Sequence, residues 1–142
     1  MSIETILAGK GQSVATIEAN IPLSAAVAEL AERRIGALVV TSGGSVVGIF
    51  SERDLVMCLA KRGAAVLDEP VSEAMSAPAV TIDRETPVLH ALALMTQRRF
   101  RHLPIVENGA LAGLVSIGDL VKFRIESIEH EAEAMRSYIQ GG

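Results

Sequence analysis

Gly48-Ile49-Phe50-Ser51-Glu52-Arg53-Asp54-Leu55-Val56 returns later in the chain as Gly113-Leu114-Val115-Ser116-Ile117-Gly118-Asp119-Leu120-Val121. In both copies an apolar run ends in Ser, and an Asp follows three residues on at the head of another apolar run. The pattern reads as a strand that turns into a helix. Ser sits at the helix N-cap and Asp in the first turn, so both side chains face the same backbone N–H groups. Such a corner can simply finish a helix, or it can hold a ligand.

The corner belongs to a longer duplication. Displacing the sequence so that Pro22 falls on Pro87 carries a gap-free match from Thr16/Thr81 to Val56/Val121. Ile17/Ile82, Ala26/Ala91, Arg33-Arg34/Arg98-Arg99, Leu38/Leu103 and Gly44/Gly109 fall along it. The chain is a tandem repeat.

Each unit reads as β-α-β-β-α. A short strand (Val14–Ile17, Ala79–Ile82) leads to Pro22 or Pro87, a residue suited to the first helical position. Leu23, Ala26, Val27 and Leu30 then share one helical face, as do Val88, Ala91, Leu92 and Met95. The basic pair that follows favours a helix C-terminus and reads as a solvated end. A second strand (Gly36–Thr41, Arg101–Val106) runs through a Gly-Gly or Asn-Gly hairpin signal into a third (Val46–Phe50, Leu111–Val115). The corner and a helix starting near Arg53 or Gly118 complete the unit.

The expected divisions are a first unit over 1–65 with an N-terminal lead-in helix, a second over 66–125 with its preceding linker, and a helical tail over 126–142. The linker holds Pro70, Pro78 and a short helical stretch around Val71–Met75. The tail carries Ile125, Ile128, Met135 and Ile139 among charges, a pattern that calls for a packing neighbour. One unit cannot bury both helices and its sheet alone, so the fold class is α/β (α+β), with the two units packed in pseudo-two-fold symmetry.

Composition narrows the function. The 142 residues are 49% hydrophobic and only 3% aromatic, which points to a core of Ala, Val, Leu and Ile. A net charge of −4 argues against nucleic acid as partner. No apolar run approaches the roughly 20 residues that span a bilayer. Met1–Gly11 carries Glu4 and lacks the plan of a signal peptide. Cys58 is the only cysteine, lies in an apolar helix and forms no intrachain disulfide, so cytoplasmic residence is the default. His90, His102 and His130 are scattered and give no metal site, and no nucleophile–base pair or P-loop occurs. The expectation is a protein that is not an enzyme.

The repeated Gly-x-x-Ser-x-x-Asp-Leu corner, Arg99-Phe100-Arg101-His102-Leu103-Pro104-Ile105-Val106 and Ser116-Ile117-Gly118-Asp119-Leu120-Val121-Lys122 resemble a tandem pair of cystathionine-β-synthase (CBS) domains, a Bateman module. The resemblance covers roughly residues 1–125 and is strongest to small stand-alone bacterial signalling proteins. It implies a regulatory adenine-nucleotide sensor that binds AMP, ADP, ATP, NAD or S-adenosylmethionine in clefts between the units. On that resemblance Asp54 and Asp119 hold ribose hydroxyls, and Ser51 and Ser116 contact ribose or phosphate. Thr16, Thr81 and the segments Ile35–Leu38 (with Gly36 and Ala37) and Phe100–Leu103 line the base, Arg53, Arg101, His102 and Lys122 serve phosphates, and Pro104 counts among the ligand contacts. It further implies a homodimer through Leu55–Leu59 and Leu120–Phe123, head to head or head to tail, and a regulated protein.

The chemistry is compatible with those roles. An ionised Asp accepts two hydrogen bonds from a vicinal diol. Because it already fills part of the helix N-terminus, a phosphate needs Arg or His alongside. His102 can equally be a half-buried structural histidine. The units also differ: Arg101, His102 and Pro104 stand where the first unit has Gly36, Ala37 and Val39, and Gly118 stands where it has Arg53. Unequal pockets follow, with Asp119 the firmer of the two ribose assignments. The alternative is a ligand-free dimeric module that docks on an enzyme or transporter.

Overall fold

The computed structural model describes residues 2–11 and 13–141; Met1, Gln12 and Gly142 lie outside them. The elements run α1 (Ile3–Lys10), β1 (Thr16–Glu18), α2 (Leu23–Arg33), β2 (Ala37–Ser42), β3 (Ser45–Ser51) and α3 (Glu52–Arg62). Two 3-10 turns follow, Ala64–Asp68 and Val71–Glu73, then α4 (Val88–Arg98), β4 (His102–Glu107), β5 (Ala110–Ser116) and α5 (Ile117–Gly141). Among the described residues no helix is long and apolar enough to cross a membrane.

Local chemistry explains most boundaries. Pro22 and Pro87 stand at the N-caps of α2 and α4, one position earlier than expected, with φ of −59° and −62°. The basic pairs close these helices: Arg34 and Arg99 adopt the left-handed conformation at φ 54° and 59°. Gly43-Gly44 and Asn108-Gly109 carry positive φ at both central hairpin positions, the geometry whose twist matches paired strands. Each hairpin has its register shift at the same repeat position, Val40/Thr41 and Ile105/Val106.

The first sheet has order β1-β2-β3, with β1 parallel to β2 and β2 antiparallel to β3. The second is the β4-β5 hairpin, and the strand expected at Ala79–Ile82 shrinks to a single bridge between Ile82 and Ile105. The reason lies in one residue. Val39 N–H donates to the Ala15 carbonyl at 3.1 Å. Pro104 takes the place of Val39 in the repeat and has no N–H to give. Only the bonds through Ile82 remain, at 3.0 and 2.9 Å.

Packing crosses the order of the chain. The second unit's core gathers Val88, Ala91, Met95, Leu103, Ile105, Val115 and Leu120, and its remaining members include Ile3, Ile6 and Leu7 of α1. The first unit's core gathers Leu23, Ala26, Leu38, Val40 and Phe50 with Val66, Val71 and Ala74 of the link. So the helix that leads into the first unit packs in the second, and the link packs back on the first. Ile3 and Glu4 N–H donate to the Thr86 and Arg84 carbonyls, both at 2.9 Å. Ile49 and Ser76 exchange N–H···O bonds of 3.0 and 2.8 Å.

Glycine makes both seams possible. A Cβ at Gly113 would stand 2.6 Å from Leu7 Cδ2, and one at Gly48 would stand 2.7 Å from both Met75 Sδ and the Ser76 carbonyl oxygen. A leucine methyl can rotate away; a hydrogen-bonded backbone carbonyl cannot. Gly48→Ala is therefore expected to lose about 1–3 kcal/mol of stability and Gly113→Ala clearly less, read from urea unfolding midpoints. The reverse order would contradict this account of the seams.

Candidate functional site

The first corner forms as a capping box. Ser51 N–H donates to Asp54 Oδ2 at 2.9 Å, and Asp54 N–H donates to Ser51 Oγ at 3.4 Å. The Ser51 hydroxyl also donates to Oδ2, at 3.0 Å, and the Ser76 hydroxyl donates to Oδ1 at 2.8 Å. A carboxylate has about four acceptor sites. Three are engaged, and one of those by a hydroxyl free to rotate.

Beside this corner opens a cleft of about 760 Å³, in the size range of small-molecule sites. It is lined by Gly36, Ile49, Ser51, Glu52, Arg53, Asp54, Ser76, Arg98, Arg99, Phe100, Arg101 and His102. Both units contribute: the start of α3 and the end of β3 from the first, the end of α4 and the start of β4 from the second. A smaller hollow of about 290 Å³ adjoins it along Met75–Val80 and shares Ile49, Ser76, Phe100 and His102.

The cleft is cationic in an acidic protein. Arg53, Arg98, Arg99 and Arg101 face two carboxylates, Glu52 and Asp54. Among the described residues, Arg33, Arg62, Arg84 and Lys10 pair with Glu29, Glu69, Glu4 and Asp119, whereas none of the cleft arginines has an acidic partner. The repeat accounts for one case directly. Arg33 holds Glu29 one turn back at 2.7 Å, but Arg98 in the same place has Leu94 one turn back. Arg53 and Arg101 replace glycines of the other unit. Each substitution adds positive charge to one cleft.

His102 lines the cleft at the first corner and pairs in register with Ser116 of the second. Burial holds its pKa below the ordinary histidine value, Lys10 and Arg101 reinforce this, and Asp119 and Glu52 oppose it. The ring is neutral at neutral pH and packs 3.9 Å from where a Cβ on Gly36 would stand.

The second corner repeats the cap and fills it differently. Ser116 N–H donates to Asp119 Oδ2 at 2.8 Å, and Asp119 N–H donates to Ser116 Oγ at 3.1 Å. Lys10 Nζ then reaches Oδ2 at 2.5 Å and the Leu114 carbonyl at 2.7 Å. The chain's own ammonium occupies Oδ2 of Asp119. Burial pushes the Asp119 carboxyl up, but Lys10 and the hydrogen bonds from Ser116 outweigh it and hold it below the ordinary carboxylate value.

Of the residues expected at a site, Gly36, Ser51, Arg53, Asp54, Phe100, Arg101 and His102 meet in the cleft. Ser116 and Asp119 meet Lys10 instead. Ile35 is half-buried against the first unit's core. The side chains of Ala37, Leu103 and Pro104 are buried, so any part they take passes through backbone. Lys122 is exposed on α5 and does not line the cleft. Thr16 is exposed because β1 turns Ile17 inward. Thr81 lies in a separate hollow of about 370 Å³ with Asp83, Thr86 and His90. Ile49, Glu52, Ser76, Arg98 and Arg99 were not anticipated. The missing acid at Leu94 was the readable signal for Arg98, whereas Ser76 lies outside the gap-free match. No cluster of His, Cys, Asp and Glu able to hold a metal ion occurs among the described residues.

The CBS domain family model matches residues 11–61 and 71–126. The mitochondrial CBS domain-containing protein CBSX3 of Arabidopsis thaliana is 34% identical over 122 residues, covering 82% of this chain and 59% of that protein, so the chain spans less than two thirds of this relative. The crystal structure of a CBS-domain containing protein from Agrobacterium tumefaciens superposes with a TM-score of 0.84 at 42% identity, over 87% of this chain and 99% of that one. A CBS domain protein of Pyrobaculum aerophilum complexed with AMP superposes with a TM-score of 0.73 at 28% identity, over 84% of this chain and 89% of that one.

Asp119 has its pKa lowered in the folded chain, so the ion pair stabilises the fold above about the ordinary value of 3.8. That contribution is lost as pH falls through the lower folded value. Lys10→Met should raise the Asp119 carboxyl titration, followed by carbon-detected NMR, and remove this part of the acid loss of stability. An Asp119 titration that does not move would show that the pair does not persist in solution.

Proposed function

The chain belongs to the CBS domain family, and from that premise we propose that it is a regulatory module that binds an adenine nucleotide in the cleft beside Asp54. The single observation that carries the reading is the set of four arginines without acidic partners, gathered next to a cap-oriented carboxylate in a chain of net charge −4. Arginine forks meet phosphate oxygens in pairs. Asp54 offers its remaining acceptor site to a ribose hydroxyl, and rotation of Ser76 frees another. Ile49, Phe100 and the Met75–Val80 segment present an apolar wall to the base. The AMP complex of the Pyrobaculum relative supports the ligand class.

Charge refines the choice. With His102 neutral, the cleft has four positive side chains against two negative ones. A ligand with two or more phosphates (ADP, ATP or NAD) suits this balance better than AMP, and a sulfonium such as S-adenosylmethionine suits it least. The ligand bridges α3 of one unit and the α4–β4 junction of the other. Binding acts by favouring one arrangement of the units over another, in conformation or in assembly. The Asp54 site is the working one on this reading, with the Asp119 corner closed by Lys10.

Isothermal calorimetry with adenosine, AMP, ADP, ATP and NAD tests the reading. Affinity should rise with phosphate count. Asp54→Asn should weaken every nucleotide by roughly ten- to a hundredfold, the range of a lost charge-assisted hydrogen bond. Arg98→Gln should weaken ATP far more than adenosine, while Asp119→Asn changes little. Absence of binding by the unaltered chain sinks the sensor; equal binding by Asp54→Asn sinks the ribose assignment alone.

A further inference from the structure

Helix α5 carries two apolar stripes, and the chain uses only one of them. Leu120 is fully buried and Phe123 packs against the second unit's core, with Ser127 half-buried one turn on. Beyond Ser127 every described residue of the helix is exposed, a projection of about 21 Å with no neighbour from its own chain. The second stripe lies about 130° round the helix from the first. It consists of Val121, Ile125, Ile128, Ala132, Met135 and Ile139, spaced alternately four and three residues apart. Exposure of its large members runs from 44% at Val121 to 71% at Ile139.

We propose that this stripe is the seam of a parallel coiled coil formed with α5 of a second copy of the chain. The spacing is the 3.5-residue repeat that keeps a seam facing its partner, with Ile125, Ala132 and Ile139 in one row and Val121, Ile128 and Met135 in the other. The flanking charges choose both the partner and its direction. In a parallel pair Arg124 of one chain faces Glu129 of the other, and Glu131 faces Arg136, so every such pair attracts. In an antiparallel pair Glu129 meets Glu129, Glu131 meets Glu131, and Lys122 meets Arg136. Every one of those repels. An exposed helix of this length is also marginal alone and gains its stability from a packed face.

The direction has a structural consequence. A parallel seam starting at Val121, just beyond the second corner, joins the second unit of one chain to the second unit of the other. The pairing is head to head. It stands whether or not the cleft takes a nucleotide.

Crosslinking the full chain in a Cys58→Ala background tests this. Ile128→Cys and Ile139→Cys should each join to an identical chain under mild oxidation, because facing seam positions come within the separation of about 4–7 Å that a disulfide requires. Ser137→Cys, on the outer face, should not. Light scattering should give the mass of two chains, with Glu131→Arg weakening the dimer by roughly three- to tenfold and added Arg136→Glu restoring it. Overturning results are a monomeric mass, crosslinking of Ser137→Cys as readily as Ile139→Cys, or joining of Val121→Cys to Ile139→Cys in a mixture.

Discussion

The reciprocal hydrogen bonds between a corner serine and the aspartate three residues on govern what each unit can do. They stop the strand, start the helix and hold the carboxylate in one orientation. At Ser51 and Ser116 the backbone N–H is tied to the aspartate at 2.9 and 2.8 Å. A carboxylate fixed in this way needs no reordering before it meets a partner. What differs between the corners is the group that arrives at it: a rotatable serine hydroxyl at Asp54 and a lysine ammonium at Asp119. A hydroxyl can yield to a ribose hydroxyl at small cost. Displacing a charge from its counter-charge costs more.

The β-α-β-β-α order and both corners could be read directly, because the signals behind them are local. Helical periodicity, Gly-Gly and Asn-Gly turns and cap chemistry act over a few residues, and the duplication stated each one twice. The contacts that close the second corner are of another kind. Lys10 and Asp119 are separated by 109 positions, and nothing near Lys10 announces its partner. The packing of α1 on the second unit has the same origin, since its Ile3, Ile6 and Leu7 face would suit either core. The short strand before α4 could have been doubted from Pro104 alone. Thr16 and Thr81 do not line the Asp54 cleft; resemblance locates their segments but not the phase of the alternation, in which Ile17 and Ile82 turn inward.

A duplication supplies two equal scaffolds, so the chemistry of this chain resides in the positions where the copies differ. Leu94 stands opposite Glu29, Arg101 opposite Gly36, and Arg53 opposite Gly118. All three differences leave positive charge in the same cleft. On the proposed reading, a phosphate meets four guanidinium groups that have no acidic partner among the described residues. Such an anion would tie two bodies together, because Arg53 belongs to one unit and Arg98, Arg99 and Arg101 to the other.

That bridging gives the two proposals a common mechanical meaning. On the proposed reading, a nucleotide fixes the spacing between the start of α3 and the end of α4. Helix α4 packs beside α5, through the core that Met95 and Leu120 share, so the direction in which α5 leaves the second unit depends on that spacing. A coiled-coil seam tolerates little change in the crossing of its helices, since each side chain must enter a hole formed by four residues of the other helix. Closing the cleft and aligning the seam are then coupled through one packed core. Thermodynamic linkage requires the effect to run both ways: whatever the anion adds to the dimer, dimer formation adds to the affinity for the anion.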